Sequence, residues 1–402
     1  MIELRDKRIL VVGLGASGLA AARLLKKRGA RVVLNDLRTA DALGEATVTE
    51  AKEVSSELVL GEHPASLFTS VDHIVLSPGV PPLPALDAAD GAGVPVSSEI
   101  ELASWFLRST VIAITGTNGK STVTSLVGEM CTQSGRPTFV GGNLGTPLVD
   151  VVDTAAADEG GFVVVEVSSF QLERLQTFHA KVAVLLNVTP DHLDRYASFK
   201  DYAAAKGHIF ERQTPDDTAV VPAGDEACTT LAKAGAGTVR TFGAGGDVAV
   251  HGDVLASRDG AFRFPLGDLR IAGAHNVDNA CASVLAARAA GVPDDAIVAA
   301  LRAFSGLPHR MVLVGEAKGV RFYDDSKATN VGASVAALAG FDGARGKVVL
   351  IAGGKDKGGS YAPLRDAAER VARLVVLIGE ATPLLEEAFA GSAVSTRRAF
   401  DL

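Results

Sequence analysis

The sequence predicts an α/β protein of three domains, in which mostly parallel sheets are covered by helices. Short apolar runs of strand length alternate with helical stretches along the chain, which is the pattern of βαβ units. Several of these runs end in glycine-rich or polar turns, where ligands gather in parallel sheets. A length of 402 residues exceeds what one hydrophobic core ordinarily serves, so two or three domains are expected.

Composition argues against several classes of protein. Hydrophobic residues make up 47% of the chain and charged residues 21%, as in folded globular proteins. The formal net charge is −8 and no basic tract stands out, so we do not expect nucleic acid as a partner. Cys131, Cys228 and Cys281 have no CxxC spacing, which indicates a reducing compartment and neither a disulfide framework nor a zinc site.

The apolar residues 9–22 follow several basic residues and could be mistaken for a signal peptide. Gly13, Gly15 and Gly18 interrupt this segment, which favours a strand, a glycine turn and a helix instead. No other stretch is long enough to span a bilayer. We therefore expect a cytoplasmic protein that has no membrane partner and acts as a monomer.

The first predicted domain, residues 1–98, begins with a βαβ unit. Its predicted elements are a strand over residues 8–12, a GxGxxG turn at residues 13–18, a helix ending before Gly29, and strands over residues 31–35 and 73–76.

The GxGxxG turn indicates that backbone comes close to a ligand, often a pyrophosphate. Asp36 follows the second strand, where a partner for a ribose hydroxyl is expected, and Ser77-Pro78-Gly79 follows a later strand. A nucleotide or nucleotide sugar, an NAD(P) cofactor, and a tight turn that only packs helix on strand all remain open.

The second predicted domain, residues 99–306, contains the most informative motif, TGTNGKST at residues 115–122. A buried strand over residues 111–114 precedes it and a helix follows. In such a turn the backbone amides, the helix N-terminus and Lys120 hold nucleotide phosphates, and a hydroxyl reaches Mg²⁺. Ile114 stands where the general P-loop pattern requires glycine, so this loop is a variant. The alternative is an ordinary turn that happens to contain Gly-Lys-Ser.

Two polar clusters follow buried strands of the second domain, at residues 166–173 and 187–196. Glu166 ends a buried strand, so its carboxylate needs a partner, either Mg²⁺ or a cap or salt bridge. Asp191 belongs to a dense polar turn or is only a helix cap, and His192 is a ligand or a structural histidine. Lys206 has the character of an ordinary surface lysine.

The rest of the chain predicts short strands, then a long helix, then a third α/β domain over residues 307–402. Polar clusters at residues 324–330 and 353–357 each follow a strand, and with His309 and Arg310 they would form a basic rim for phosphate or carboxylate. The further elements are short strands within residues 219–269, helices over residues 99–107, 276–289, 333–339 and 362–373, and strands over residues 320–323, 347–351 and 374–378.

Taken together, these motifs resemble the Mur ligases, the ATP-dependent amide-forming enzymes of peptidoglycan synthesis. The resemblance extends from the first strand to about residue 364 and is greatest to the members that add D-glutamate. It implies a Rossmann-like N-terminal domain, a P-loop-type central ATPase domain and an α/β C-terminal domain. The matching segments are residues 115–122, 141–145, 166–172, 187–196, 275–276, 307–310 and 325–330.

The resemblance implies ligation of D-glutamate to UDP-N-acetylmuramoyl-L-alanine with ATP, through an acyl phosphate. The implied contacts to the UDP-linked substrate are Ala16, Ser17, Asp36, Arg38, Ser77, Pro78, Gly79, Asn143, Gln171 and His192. Those to ATP are Gly116, Thr117, Asn118, Gly119, Lys120, Ser121, Thr122, Asn276, Asn279, Arg310 and Asp325.

The resemblance also implies two magnesium ions. Ser121, or Thr122 beside it, and Glu166 would hold one, while His192 and Lys206 would hold the other, with Lys206 converted to a carbamate. Thr329 and Lys357 would meet the incoming glutamate. The implied catalytic residues are Lys120, His192, Lys206 and Lys327.

Three alternatives to D-glutamate ligation remain open from the sequence. One is a ligase of the same family that adds L-glutamate or another amino acid. Another is a nonenzymatic protein that binds a nucleotide or a cell-wall precursor, and the third is an NAD(P)-dependent oxidoreductase. Members of the family continue several dozen residues beyond the point where this sequence stops. We therefore expect an incomplete third domain, a deficient glutamate site and little or no ligation by this chain.

Overall fold

The computed structural model describes residues 3–400 apart from residues 272, 342 and 344–346. It has the predicted mixed α/β architecture, with three α/β units in succession along the chain. Among the described helices, none combines the length and apolar content needed to cross a lipid bilayer.

The first unit is a five-stranded parallel sheet with strand order β3-β2-β1-β4-β5. The order reverses between β1 and β4, so the turns after these two strands border the crevice in which such sheets bind ligands. The strands are β1 (Arg8–Val12), β2 (Arg31–Asp36), β3 (Glu57–Leu60), β4 (His73–Leu76) and β5 (Val96–Ser98). The helices are α1 (Ala16–Lys27), α2 (Ala40–Leu43), α3 (Glu45–Val54), α4 (Ala65–Thr69) and α5 (Pro84–Gly91).

The second unit is a nine-stranded sheet with order β14-β13-β12-β11-β10-β9-β6-β8-β7, antiparallel only between β12, β13 and β14. Its strands are β6 (Thr110–Thr115), β7 (Thr138–Gly142), β8 (Phe162–Glu166), β9 (Val182–Leu185), β10 (Thr218–Pro222), β11 (Thr238–Phe242), β12 (Val248–His251), β13 (Val254–Ser257) and β14 (Arg263–Pro265). Its helices are α6 (Glu99–Ser104), α7 (Lys120–Gln133), α8 (Ser169–Leu172), α9 (Phe199–Gly207), α10 (Glu226–Ala232), α11 (Ala274–Ala289) and α12 (Asp294–Ala303), with 3₁₀ turns at Leu148–Val151 and Leu266–Asp268.

The central strands are buried on both faces, which explains why they are continuous apolar runs in the sequence. Ile112 and Ile114 of β6 pack with α7, α11 and α12 on one face. Val111 and Ala113 face the opposite way and belong to a core that continues into the first unit. The first two units are therefore joined by apolar packing.

The third unit consists of an antiparallel hairpin and a three-stranded parallel sheet of order β17-β18-β19. Helices pack on one face of this sheet, while Val349 and Ile351 of β17 remain about half exposed on the other. The strands are β15 (Val312–Ala317), β16 (Val320–Asp324), β17 (Val348–Gly353), β18 (Ala372–Ile378) and β19 (Ser395–Arg398), and the helices are α13 (Val331–Ala339), α14 (Ala362–Val371) and α15 (Thr382–Ala388).

Several boundaries differ from those predicted. The helix expected over residues 99–107 ends at Ser104, and the helix expected over residues 362–373 ends at Val371 because β18 begins at Ala372. Strands β3, β5, β15 and β19 lacked a sequence signal: three of them have only three or four residues, and β15 is exposed throughout and interrupted by Gly315.

Candidate active site

The loop between β6 and α7 has the open geometry of an anion site. Gly119 has φ +86° and caps α7 without a side-chain hydrogen bond, so the first amides of this helix are available to a ligand. Gly116 has φ +151°, and a Cβ there would lie 3.0 Å from Leu186 Cβ. Asn187 holds the loop from the neighbouring strand end, because its Oδ1 accepts from Asn118 N at 2.9 Å.

Two lysines converge on one carbonyl of this loop. Lys120 Nζ donates to Gly116 O at 3.0 Å and to Thr117 O at 2.9 Å, and Lys206 Nζ also donates to Gly116 O at 2.9 Å. Burial lowers the pKa of Lys120, and burial together with the charge of Lys120 lowers the pKa of Lys206 far below its usual value. The loop thus gathers two buried amino groups where phosphates would bind.

The interpretation of Lys206 as a surface lysine is wrong. Only 2% of Lys206 is exposed, and its ammonium lies 4.7 Å from the centre of the Tyr202 ring. These two residues are one turn apart on α9, and that face of the helix is directed at the phosphate loop. Tyr202 Oη, in turn, lies 3.1 Å from Thr117 Oγ1.

Glu166 is a buried carboxylate with half of its hydrogen-bonding capacity unused. It ends β8, is 2% exposed, and its Oε1 accepts from Asn143 Nδ2 at 2.7 Å. Its Oε2 and the hydroxyl of Thr115, which ends the adjacent strand β6, have no partner among the described residues. Buried polar atoms are rarely left unpaired, and hard cations prefer oxygen ligands. This position therefore fits Mg²⁺.

Asp191 is not a helix cap, because no helix of the described chain begins there. It is 8% exposed, and its Oδ2 accepts from Asn330 Nδ2 of the third unit at 3.0 Å. Its Oδ1 accepts from His192 N at 3.0 Å and lies 3.8 Å from Lys357 Nζ. Asp191 therefore connects the central sheet to the third unit.

His192 adopts a left-handed backbone conformation, with φ +55°. Its ring lies edge-on to Phe170, with the two centroids 4.9 Å apart. Burial lowers the pKa of His192, and a neutral imidazole is the form that binds metals. Across the described residues, however, no three His, Cys, Asp or Glu side chains form a metal cluster by themselves.

Among the described residues, three side chains of the third unit form polar contacts with the central unit. Arg310 Nη2 donates to Ser121 Oγ at 3.1 Å, while Asn330 and Lys357 approach Asp191 as described above. Lys327 and Thr329 are exposed, and Lys327 contributes a backbone bond, from its N to His309 O. The structure therefore brings Arg310 and Lys357 to the phosphate loop region and leaves the side chains of Lys327 and Thr329 open to solvent.

The residues predicted to contact adenine lie beside Gly119. Asn279 Nδ2 donates to Asn276 Oδ1 at 3.1 Å, and a Cβ on Gly119 would lie 2.5 Å from Asn279 Oδ1. Asp325 accepts from Met311 N at 3.1 Å, and burial raises its pKa. The negative charge of Asp325 also acts on His275 at the start of α11, so this wall of the site is formed by the second and third units together.

The residues predicted to contact the UDP end gather in the first unit. Leu14 N donates to Asp36 Oδ2 at 2.7 Å, and Arg38 contacts both Asp36 oxygens, with Nε 2.9 Å from Oδ1 and Nη2 2.7 Å from Oδ2. Ser77 Oγ donates to Gly13 O at 2.7 Å, which ties the turns after β1 and β4 together. Ala16 and Gly79 are exposed, and Ser17 and Pro78 are partly exposed.

Burial alone would raise the pKa of Asp36, but its bonds to Arg38 and Leu14 outweigh burial and lower the pKa to about 2. The carboxylate is thus satisfied by the chain itself. This leaves little acceptor capacity for a ribose hydroxyl, the role Asp36 would have in NAD binding.

The residues predicted to contact the muramoyl group border the phosphate loop on the side of β8. Asn143 is exposed and bonds to Glu166, as described above. Gln171 Oε1 accepts from Ser168 N and Oγ, each at 2.9 Å, within the capping box of α8. Its Nε2 is buried and lacks a partner in the described part of the chain, as expected of a group that awaits a ligand.

The arrangement defines an α/β nucleotide-binding protein of the phosphate-loop type, with a second ligand crevice in its first unit. Comparison with family profiles agrees: the Mur ligase MurD-like N-terminal domain matches residues 7–98, the Mur ligase middle domain residues 114–287, and the Mur ligase glutamate ligase domain residues 309–399.

Curated relatives cover almost the whole chain. The UDP-N-acetylmuramoylalanine–D-glutamate ligase of Geobacter metallireducens is 46% identical over 100% of this chain and 88% of its own length. The enzyme of the same name from Anaeromyxobacter dehalogenans is 45% identical over 96% of this chain and 86% of its own. The chain belongs to the Mur ligase family, whose members form amide bonds with ATP and Mg²⁺.

Solved structures agree with the fold. The UDP-N-acetylmuramate-alanine ligase of Thermotoga maritima aligns with a TM-score of 0.62 at 20% identity, over 98% of this chain and 91% of that one. A pseudomurein peptide ligase of Methanothermus fervidus aligns with a TM-score of 0.61 at 20% identity, over 98% of this chain and 89% of that one. At this identity the likeness concerns the fold alone.

Proposed function

We propose that the protein ligates D-glutamate to UDP-N-acetylmuramoyl-L-alanine, with conversion of ATP to ADP and phosphate. The observation that carries this proposal is the unpaired Glu166 carboxylate oxygen near a phosphate loop on which two lysines converge. The names of the relatives at 45–46% identity supply the substrate and the amino acid. A site of this composition suits transfer of a phosphoryl group to a carboxylate.

In the first step, the terminal carboxylate of the UDP-linked substrate attacks the γ-phosphate of ATP and forms an acyl phosphate, with release of ADP. Lys120 exchanges its two loop carbonyls for phosphate oxygens, and the open amides of α7 hold the same anion. Arg310 likewise exchanges the Ser121 hydroxyl for the γ-phosphate. These fixed positive groups offset the charge of the transferring phosphoryl group.

Two magnesium ions would neutralise part of the negative charge of the phosphate groups. Ser121, freed by Arg310, and Glu166 are the proposed ligands of one ion, with Thr122 beside Ser121 as the alternative. His192 and carbamylated Lys206 are the proposed ligands of the other. The unpaired Glu166 oxygen and the partly buried imidazole of His192 support these assignments.

The carbamate on Lys206 is proposed for an electrostatic reason. An ammonium at this position shares the Gly116 carbonyl with Lys120 and would repel a metal ion. When the amine adds CO₂ and loses a proton, one N–H remains to donate to Gly116 O. The new carboxylate then supplies the oxygen ligands. Carbamylation therefore reverses the charge while it keeps the hydrogen bond.

In the second step, the neutral glutamate amine attacks the acyl carbon, phosphate leaves from the tetrahedral intermediate, and the nitrogen loses one proton as the amide forms. Thr329 and Lys357 are the proposed contacts to glutamate. The 3.8 Å approach of Lys357 Nζ to Asp191 places this cation at the border with the central unit. Lys327, whose side chain is exposed, is proposed to act on the γ-phosphate with Arg310.

The UDP end is proposed to occupy the crevice of the first unit, with the amides of α1 near the diphosphate. Residues 1–98, 99–306 and 307–402 are the proposed domains. Asp36 there is already saturated, which disfavours the NAD(P) alternative. The three buried free cysteines and the use of ATP support action in the cytoplasm.

An amino-acid panel tests the function. Phosphate release is measured with ATP, Mg²⁺, UDP-N-acetylmuramoyl-L-alanine and one amino acid at a time, and we expect D-glutamate to give the highest rate. A higher rate with L-glutamate or another amino acid would move the protein to a different specificity. Binding of both nucleotides without phosphate release, even in a chain extended by the C-terminal tail of a relative, would favour a nonenzymatic sensor.

Lys206 offers a separate test of the carbamate. Lys206→Ala should lose most turnover, and short-chain carboxylates should restore part of it because they replace the missing oxygen ligand. Lys200→Ala on the same helix is the matched control, since Lys200 is exposed. Equal activity of the two variants would contradict the assignment.

A further inference from the structure

Asn330 bridges the third unit to two separate points of the central unit. It is the N-cap of α13, and its Oδ1 accepts from Ala333 N at 2.8 Å. Its Nδ2 donates to Asn118 Oδ1 and to Asp191 Oδ2, each at 3.0 Å. Both N–H donors of this carboxamide are therefore used across the boundary, and its oxygen is used within its own helix.

The surroundings allow only one orientation of the Asn330 amide. If the amide were flipped, its oxygen would face the Asp191 carboxylate and its NH₂ would face the Ala333 amide, and both contacts would be repulsive. The cap thus fixes the direction in which the two N–H groups point. Asn330 can bond to both acceptors only when α13 is seated at one position.

The two acceptors are themselves held in place. Asn118 lies on the phosphate loop, where Asn187 bonds to its N and O atoms. Asp191 follows β9 and accepts from His192 N at 3.0 Å. A Cβ on Gly332 would lie 3.1 Å from Asn118 Nδ2, so the first turn of α13 packs closely against the loop. The acceptors form a fixed template for the third unit.

The other contacts named across this boundary use groups that have proposed ligands. Arg310 bonds to Ser121 but is proposed to bind the γ-phosphate, and Lys357 faces Asp191 but is proposed to bind glutamate. Bound substrates would therefore break the contact of Arg310 with Ser121 and that of Lys357 with Asp191. Asn330 is neutral and has no such competing ligand, so its bonds can persist through the reaction.

We infer that Asn330 is a positioning residue that seats the third domain on the phosphate loop and orients the Asp191 carboxylate. This inference rests on the proposed function, because it assigns Asn330 the task of aligning the neighbouring Thr329 and Lys357 with the acyl phosphate. Both acceptors of Asn330 lie in the nucleotide-binding unit. Seating is therefore coupled to the loop that holds ATP.

Asn330→Ser tests the inference because serine retains the helix cap and removes both bridging donors. We expect a fall in kcat of about tenfold or more, as for loss of a hydrogen bond to a charged group. Asp225→Ser, at the N-cap of α10, is the matched control, since Asp225 caps through Cys228 N of its own helix. We expect this control to keep the wild-type kcat.

A swapped pair distinguishes positioning from general stability. Asn330→Asp places a carboxylate against Asp191 and should be the most damaging single change, whereas Asn330→Asp combined with Asp191→Asn restores one donor–acceptor pair. We expect the double variant to exceed Asn330→Asp in kcat. A double variant no better than this single variant, or wild-type kcat in Asn330→Ser, would overturn the inference.

Small-angle X-ray scattering separates this inference from the proposed function because it does not depend on turnover. With Mg²⁺ and a non-hydrolysable ATP analogue, we expect a larger radius of gyration for Asn330→Ser than for the wild type and Asp225→Ser. Superimposable profiles would overturn the seating role even if ligation were demonstrated. A larger radius in a chain without ligase activity would support seating and refute the proposed function alone.

Discussion

Each of the first two units has a glycine turn with a buried carboxylate near it. The two carboxylates differ in how many of their oxygens have hydrogen-bond partners. Asp36, near the turn after β1, is 5% exposed and accepts from Leu14 N and from Arg38 at both oxygens. Glu166, near the turn after β6, is 2% exposed, yet one of its oxygens has no partner among the residues described. The two carboxylates are therefore similarly buried, but Asp36 has hydrogen-bond partners at both oxygens, whereas Glu166 has a described partner at one oxygen.

The difference indicates which carboxylate is structural and which is reserved for a ligand. Asp36 shapes its own turn, and a ligand there meets backbone amides and Arg38 more readily than a free carboxylate. Glu166 carries the cost of an unpaired buried oxygen, about 1–3 kcal/mol for a typical group, which a bound cation would offset. Burial by itself would not have separated the two roles.

The largest expected effect is at the second turn. Lys120→Ala should lower kcat/KM by roughly 100- to 1,000-fold, the scale seen when one preorganised charge-stabilising group is removed. Lys27→Ala is the control, since Lys27 forms an exposed ion pair with Asp153 near the end of α1. Steady-state phosphate release measures both variants. Comparable losses would mean that the phosphate loop is not the reacting site.

Glu166→Gln should separate stability from activity. We expect kcat to fall by about 100-fold through loss of the metal ligand, while the free energy of unfolding of the ligand-free protein stays equal or rises, because a buried charge is removed. Denaturant unfolding without Mg²⁺ measures the stability. A stability loss above about 2 kcal/mol would instead indicate that Glu166 has a structural partner.

Asp36→Asn should lower the stability of the ligand-free protein, in contrast to Glu166→Gln. The change removes acceptors used by Leu14 and Arg38 and should cost about 1–3 kcal/mol of stability. The KM for the UDP-linked substrate should rise because the first turn is disturbed, whereas the KM for ATP should stay unchanged. If the KM for ATP rose and the KM for the UDP-linked substrate did not, the turn after β1 would have to be assigned to ATP instead.

A third buried carboxyl, Glu99, extends the comparison to a position without a proposed ligand. Its Oε1 accepts from Val149 N at 2.6 Å, while Oε2 has no partner in the described structure. Burial raises the pKa of Glu99 to about 8 from 4.5. The folded state thus holds this proton more tightly than the unfolded state, so the contribution of Glu99 to stability declines as the pH rises from about 4.5 to about 8.

Glu99→Gln should remove this component of the pH dependence. We expect the Tm of the wild type to fall more between pH 5 and pH 8 than the Tm of the variant, as measured by calorimetry in matched buffers. Asp36 has the opposite sign, because its lowered pKa makes its contribution disappear only as the pH falls from about 4 towards 2. Parallel Tm profiles of wild type and Glu99→Gln would show that Glu99 does not carry the proton.

Sequence patterns predicted those parts of the fold that depend on local periodicity. The strands β1, β6, β8 and β9 and the turns that follow them could be recognised because buried parallel strands are continuous apolar runs. The short strands β3 and β5 left no comparable pattern. The predicted site residues Glu166 and Lys120 come directly from such strand ends.

Long-range packing explains what the sequence did not reveal. Lys206 is buried because α9 directs it and Tyr202 at the phosphate loop, 90 residues earlier in the chain. Asp191 meets Asn330 across 139 residues, and neither residue carries a local signal of this contact. The dense polar segment around Asp191 indicated a functional turn, but the same residues were equally compatible with a helix cap.

Isotope transfer tests the central claim most directly, since it follows the carboxylate oxygen of the UDP-linked substrate through both steps of the reaction. UDP-N-acetylmuramoyl-L-alanine labelled with ¹⁸O in its terminal carboxylate is incubated with ATP, Mg²⁺, D-glutamate and the protein, and the released phosphate is analysed by mass spectrometry. Activation at the phosphate loop predicts phosphate that carries one substrate-derived ¹⁸O atom. Unlabelled phosphate together with amide product would contradict the acyl-phosphate mechanism.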